Sequence, residues 1–319
     1  MANRCKLPLL LLLCIVVAIA GCTKAPQMPL RIGINPWTGY EPLYLARDMG
    51  YFDKTSIKLI EHTSASESMR LFRNGTIDAA ALTLDETLQL LATSADFWVV
   101  LVIDVSHGGD AMLAQPAINS IQDLKNKRVG YESTALGAYM LARALQTAGM
   151  NPSDVKAVPL ELAELESHYR EGRVEAVVTF EPIKTRLLGA GARVIFDSSQ
   201  IPGEVMDVLV VRKAFAEKNP GRVRDIVGGW FKAISYLKEN QHKAAEMLAK
   251  RQKISPEQYL ISQSGLRYPD ILENRQMLTG DAPALLPAAQ RLSTFMIENR
   301  LITLAPDIRP ILNGSYLTR

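Results

Sequence analysis

The chain has 319 residues, a formal net charge of +3, 48% hydrophobic and 22% charged residues, and three cysteines. That mixture excludes a disordered chain, and with no basic block it gives no support to nucleic-acid binding. All three cysteines fall within the first 22 residues, so core burial rather than disulfides must stabilise the rest; about 300 residues can bury roughly three quarters of their unfolded surface.

At the N-terminus, Arg4 and Lys6 precede an almost unbroken apolar run over residues 7–20. The run is short for a bilayer span and has the length of a signal-peptide apolar region. It ends in Ile19-Ala20-Gly21-Cys22, a small-residue pattern that resembles the substrates of lipoprotein signal peptidases. Residues 1–21 are therefore expected to be a lipoprotein signal peptide, with Cys22 as the lipidation site carrying diacylglycerol and palmitate-type chains. No second long apolar stretch follows, so the expectation is a protein anchored to a membrane rather than spanning it. Residues 22–29, with Pro26 and Pro29, read as a tether. Thr23, rather than Asp, stands after the lipidated cysteine; in a Gram-negative host this favours sorting to the outer membrane, facing the periplasm.

Beyond the tether, strand-like runs alternate with helical patterns, which predicts an α/β fold with parallel strands. Strands are expected over residues 31–35, 57–61, 77–83, 98–105, 174–180 and 207–212. Helices are expected over 42–52, 66–74, 84–95 and 136–147. A single long helix is expected over 224–250, where Ile226, Val227, Trp230, Phe231, Ile234 and Leu237 form one apolar stripe. Trp98 and Trp230, inside these elements, read as core.

An internal repeat runs through the first half. Arg31-Ile-Gly-Ile34 corresponds to Arg128-Val-Gly-Tyr131 at an offset of 97 (128 − 31), and residues 72–79 correspond to 169–176 at the same offset (169 − 72). Leu45-Ala-Arg47 matches Leu141-Ala-Arg143 at 96 (141 − 45). The shared register predicts two α/β lobes that begin alike. Lobe 1 would comprise residues 30–110 and 208–319, and lobe 2 residues 111–207. Two chain crossings between them form a hinge, and a hinge permits closure over a ligand.

In such sheets ligands sit beyond the carboxyl ends of the strands. Those positions are residues 35–40, 83–86, 106–110, 132–135 and 180–182. Among them Trp37, Thr38 and Tyr40 form an aromatic turn around Gly39, whose rings either line a pocket or cap the lobe core. Ser133 and Thr134 cap the expected helix over 136–147; the free N–H groups there either hold an anion or make an ordinary cap. Thr83, Asp85, Ser106, Asp110 and Glu181 complete the candidate ligand-binding set, and Asp207 is similarly placed. Lysine and arginine are nearly absent from these turns, so a pocket lined by the acids would suit an amine or a zwitterion.

Catalytic signals are thin. The four histidines, His62, His107, His168 and His242, show no metal-ligand spacing. Gly108-Gly109 is not a phosphate loop, and a mature chain without a free thiol excludes cysteine catalysis. No catalytic residue, metal or cofactor is expected, and the chain does not read as an enzyme.

The stretch from Ile32 to Phe52, with its Asn35-Pro-Trp-Thr-Gly-Tyr-Glu-Pro42 turn, resembles the opening of the nitrate/sulfonate/taurine-type periplasmic solute-binding proteins of ABC transporters. These include binders of thiamine pyrimidine precursors. The resemblance continues through residues 72–79, Ile121–Lys125, Val129-Gly130 and Glu181-Pro182. It implies the type II periplasmic-binding-protein fold and a monomer that captures a small sulfonate, amine, zwitterion or pyrimidine-like ligand and hands it to an ABC permease. It also puts ligand contact at the 37–40 turn, at 83–85, at Ser133-Thr134 and at Glu181. Enzymes of this fold that make the thiamine pyrimidine use a cysteine-rich motif, which this chain lacks. The alternative is a ligand-sensing lipoprotein that regulates a membrane receptor, because an outer-membrane binder is badly placed to feed an inner-membrane permease.

Overall fold

A computed structural model describes residues 28–93, 96–133 and 135–317. Cys22 and Thr134 lie outside the described residues, as does the expected signal peptide. In chain order the first half gives β1 (Leu30–Ile34), α1 (Glu41–Asp48), β2 (Ile57–Glu61), α2 (Ala65–Arg73), β3 (Ala79–Thr83), α3 (Leu84–Ala92) and β4 (Phe97–Ser106). It continues through β5 (Asp110–Ala114), β6 (Arg128–Glu132), α4 (Ala135–Thr147), β7 (Lys156–Leu160), α5 (Leu162–Arg170), β8 (Ala176–Phe180), α6 (Ile183–Leu188) and β9 (Arg193–Asp197). The chain then runs through β10 (Met206–Arg212), α7 (Lys213–Lys218), α8 (Pro220–Glu239), α9 (Gln241–Gln252), α10 (Pro256–Ser264), β11 (Leu266–Arg267), α11 (Ile271–Leu278) and α12 (Leu285–Glu298).

Two sheets result, with strand orders β11-β4-β10-β3-β1-β2 and β7-β6-β8-β5-β9. In the first, β1 pairs in parallel with β2 and β3. In the second, β6 pairs in parallel with β7 and β8. Each sheet also holds one central antiparallel strand, β10 beside β3 and β4, and β5 beside β8 and β9. The chain therefore passes between sheets twice, at residues 107–109 and 198–205.

Composition explains why the central strands are central. β3 is Ala-Ala-Ala-Leu-Thr and fully buried, so helices pack closely on both faces. In β4, nine of ten residues are buried, including all eight from Val99 onward, and the apolar run from Val99 to Ile103 suits a strand covered on both sides.

The offset of 97 has a physical counterpart. Arg31 donates from Nε to Asp78 at 2.8 Å and from Nη2 to the Gly75 carbonyl at 3.4 Å. Arg128 does the same to Glu175 at 3.1 Å and to the Gly172 carbonyl at 3.0 Å. In each sheet one arginine at the start of the first strand ties down the turn before the third. Gly75 and Gly172 both take positive φ, 74° and 67°, which a side chain would strain.

The single helix expected over 224–250 is instead two, α8 and α9. Asn240 leaves the helical region at φ −133°, ψ 46°, and its side-chain amide donates to the Tyr236 carbonyl at 3.3 Å. An asparagine that bonds its own backbone competes with helix continuation. The apolar stripe itself survives within α8, where Trp230 is fully buried. Trp98 is partly buried at the core margin, tilted against Tyr316.

Candidate functional site

The carboxyl ends of the parallel strands in both sheets converge on one small cavity of about 20 Å³, room for little more than one water-sized group. One sheet and its helices contribute Asn35, Trp37, Tyr40, Ala65, Thr83, Glu86 and Asp207; the other contributes Asp110, Glu132, Leu136 and Phe180. Asn35 follows β1 and Thr83 ends β3, while Glu132 and Phe180 end β6 and β8. Asp110 and Asp207 come from the two antiparallel strands, close to the chain crossings.

Aromatic donors and buried acids form the wall. Trp37 donates from Nε1 to Asp104 Oδ2 at 3.0 Å, and the Tyr40 hydroxyl donates to Asp207. Asp104 and Asp207 are register partners in β4 and β10, and their carboxyl groups interact across the ladder. Trp37 also meets Phe180 of the opposite sheet edge-on, with ring centroids 5.7 Å apart at 83°. Trp37, Phe180 and Asn35 line a second, wider space of 730 Å³ as well. The Trp37–Phe180 contact is thus the partition between a small inner cavity and an outer vestibule.

Gly39 makes this network possible. A Cβ at Gly39 would overlap both the Asp104 carboxylate and the Trp37 indole nitrogen. Gly109 is similar, since a Cβ there would lie 2.7 Å from Trp37 Cη2. Gly39→Ala is expected to destabilise the protein by about 1–3 kcal/mol, the usual cost of overpacking. It should also change the near-ultraviolet circular dichroism as Trp37 is displaced. An unchanged spectrum and an unchanged denaturation midpoint would argue against this packing.

The acids sit in an environment that disfavours their charge. Burial pushes Asp110 up to about 7; Asp104 and Asp85 add to this, while the Ser106 hydroxyl and Lys184 work against it. Burial, then the neighbouring Asp85, pushes Glu86 up to about 8. Asp104 is raised to about 7 by burial, and Asp207 well above the usual range by burial and Asp104. The helix end nearby is already served, because the Thr83 hydroxyl accepts from the Glu86 N–H and the Glu86 carboxylate accepts from the Thr83 N–H at 3.0 Å.

Four of the expected contact residues reach the inner cavity: Trp37, Tyr40, Thr83 and Asp110. Thr38 turns away and donates to Gln252 Oε1 at 2.9 Å. Asp85 is buried behind Glu86, with no partner for its Oδ2. Ser106 belongs to the crossing: its Oγ lies 2.8 Å from Ser198 Oγ and accepts from the Asp110 N–H at 3.2 Å. Ser133 is exposed and does not line the cavity.

Glu181 is also elsewhere. Its carboxylate accepts from the Thr185 N–H at 3.1 Å and from Ser262 Oγ at 3.2 Å, with Lys184 Nζ at 3.4 Å. It therefore joins α6 to α10 across the two halves, and its acceptors are already engaged. The strand-end stretches also held Asn35, Glu86, Glu132 and Phe180, which line the cavity without having been singled out. For Glu86 the signal was legible as Thr83-x-x-Glu86, the capping-box spacing. Ala65 and Leu136 carry no chemical signature and enter only by packing.

Two α/β lobes joined by two crossings, with a cavity where their strand ends meet, define the periplasmic-binding-protein fold. The crystal structure of the periplasmic aliphatic sulphonate binding protein SsuA from Escherichia coli superimposes with a TM-score of 0.73 at 20% identity, covering 92% of this chain and 99% of that one. In sequence, an E. coli K12 protein named for binding aliphatic sulfonates is 23% identical over 97% of this chain and 96% of its own length. The taurine-binding periplasmic protein of the same strain is 25% identical over 59% of this chain and 60% of its own. The NMT1-like family model matches residues 23–251. The chain belongs to the NMT1-like family.

Proposed function

We propose that this protein is an extracytoplasmic solute-binding protein, held to a membrane by lipid on Cys22, that captures one small polar ligand between its lobes and delivers it to an ABC importer. The observation that carries the reading is the inner cavity, whose wall is built from both sheets and whose partition, Trp37 against Phe180, draws one ring from each. A ligand seated there touches both lobes, so its binding favours the closed arrangement. The full-length likeness to a sulfonates-binding relative supports the same role. Candidate ligands are sulfonates, amines or zwitterions, and pyrimidine-like compounds. The residues proposed to meet them are Trp37, Tyr40, Thr83 and Asp110, joined by Glu86, Asp207 and Phe180. The protein acts as a monomer and carries out no chemistry on its ligand.

A second reading rests on Thr23: sorting to the outer membrane would separate the protein from an inner-membrane permease and suit a sensor that reports occupancy to a membrane receptor. Affinity capture from detergent-solubilised envelopes separates the two, since a permease supports delivery and a transmembrane kinase or cyclase supports sensing. For binding itself, a thermal-shift screen of sulfonates, amines, amino acids and pyrimidines is expected to yield a stabilising ligand. At one hundred times its Kd a ligand adds about 2.7 kcal/mol. The shift should be lost in Phe180→Ala, and a hit that keeps its full shift there would remove this cavity from consideration. Palmitate labelling should disappear in Cys22→Ser.

A further inference from the structure

The titratable side chains of the inner cavity are all acids. Glu86, Asp110, Glu132 and Asp207 line it, and among the described residues no lysine, arginine or histidine does. Asp85 and Asp104 stand behind, each acting electrostatically on Asp110. Lys184, the ammonium that acts electrostatically on Asp110, is engaged by the Gly108 carbonyl at 2.7 Å and by Glu181. A sulfonate would bring into this cavity a negative charge that no basic group of the wall offsets, beside acids whose own charge burial already disfavours. It would find the N-terminus of α3 already occupied by the protein's own Glu86.

A second observation points the same way. Asp110 is 2% exposed, lines the cavity, and its Oδ2 has no hydrogen-bond partner. A buried carboxylate oxygen without a donor is costly, and a donor arriving with a ligand removes that cost. Three aromatic residues, Trp37, Tyr40 and Phe180, share the wall with Asn35, Ala65, Thr83 and Leu136, and aromatic rings attract cations through their faces.

Taking the solute-binding reading as its basis, we propose that the ligand is a small organic cation, a protonated amine on a short apolar body, rather than a sulfonate. The ammonium head donates to Asp110 Oδ2 and is surrounded by Glu86 and Asp207. The 20 Å³ cavity has room for a head of that size and not for the body. The body passes Trp37 and Phe180 into the 730 Å³ vestibule, whose wall includes both rings. The chain thus shares its fold with SsuA but reverses the charge preference that SsuA's name records.

The test is isothermal titration of the whole protein at pH 8 with n-butylamine and with butane-1-sulfonate, which share a four-carbon body and differ in head charge. Butylamine is expected to bind and butanesulfonate to give no heat. Asp110→Asn, and separately Glu86→Gln should the first variant fold poorly, are expected to weaken butylamine at least about tenfold. Tighter binding of butanesulfonate overturns the cation assignment while leaving a solute-binding protein in place. Butylamine affinity unchanged in both variants overturns the placement of the head, as does a silent titration with butylamine. Native mass spectrometry of protein purified from its own cells separates the two levels. A co-purified anion counts against the cation alone, and a co-purified amine supports it. If butylamine and butanesulfonate are both silent and no small molecule co-purifies, the solute-binding reading falls with it.

Discussion

Trp37→Ala is expected to lower the stability of the ligand-free protein by about 3–5 kcal/mol, the range for removing a buried large aromatic. The indole contributes in two distinct ways. Its Nε1–H donates to Asp104 at 3.0 Å, and its ring meets Phe180 edge-on at 5.7 Å. Aromatic pairs of this geometry add about 0.5–1.5 kcal/mol beyond their buried area. Trp37→Phe separates the two contributions, because it keeps a ring and loses the donor. It should cost less, about 1–3 kcal/mol, because Asp104, pushed up to about 7 by burial, can hold a proton when its donor is gone. Urea denaturation of both variants at pH 7 measures the difference. A Trp37→Ala cost below about 1 kcal/mol, within the range of many surface changes, would mean that the indole is not part of the wall. The same variant removes the partition between cavity and vestibule, so ligand should dissociate at least about tenfold faster.

The ligand-free protein is expected to lose stability as pH rises from about 5 to 8. Burial holds Asp110 and Asp104 at about 7 and Glu86 at about 8 in the native state, whereas unfolded carboxylates titrate near 4. Across that window the native state keeps protons that the unfolded chain has released, so stability falls with pH. Glu41, raised to about 7 chiefly by burial, acts in the same direction. His62, lowered by burial, acts in the opposite direction as it loses its proton, but it is one group against several. Asp110→Asn removes one contributor, whose share of the loss between pH 5 and 8 is on the order of 3 kcal/mol, and should flatten the slope of midpoint against pH across that window. The groups around Asp110 define the control: Ser106 Oγ, Asp104, Asp85 and Lys184 all remain in the variant. A bound organic cation would stabilise the ionised acids and reduce the loss at pH 8. A midpoint that rises steadily from pH 5 to 8, with and without Asp110, would show that the acids are solvated.

These two predictions differ in how far the sequence alone could have reached them. Trp37 and Tyr40 were legible as pocket or core-capping residues because they flank a glycine in a strand-end turn, and the structure gives them both places, in the buried core and in the cavity wall. Asp110 was legible as an acid beyond β4. Asp104 was not, because it lies inside a strand and gains meaning only when the β4–β10 register sets it beside Asp207. Glu181 was misplaced for the same kind of reason. Its position after β8 put it at the correct edge, but Ser262 and Thr185 meet it there, and α10 arrives from a distant part of the chain.

The sequence by itself determined the alternation of strands and helices, the duplicated start of the two lobes and the strand ends that converge on the cavity. Each of these depends on periodicity or on a fixed offset, which local residues carry. It also contained the paired arginine anchors, Arg31 and Arg128, as a repeat at 97 residues before their partners were known. Only the tertiary structure decided which acids face one another, where the long helix breaks at Asn240, and that Trp37 closes against Phe180. Those facts depend on antiparallel register and on contacts between segments far apart in the chain, and no short stretch of residues encodes them. The aromatic turn and two of the acids, Asp110 and Asp207, could be read from the sequence, whereas their meeting with Glu86 and Glu132 in one wall could not.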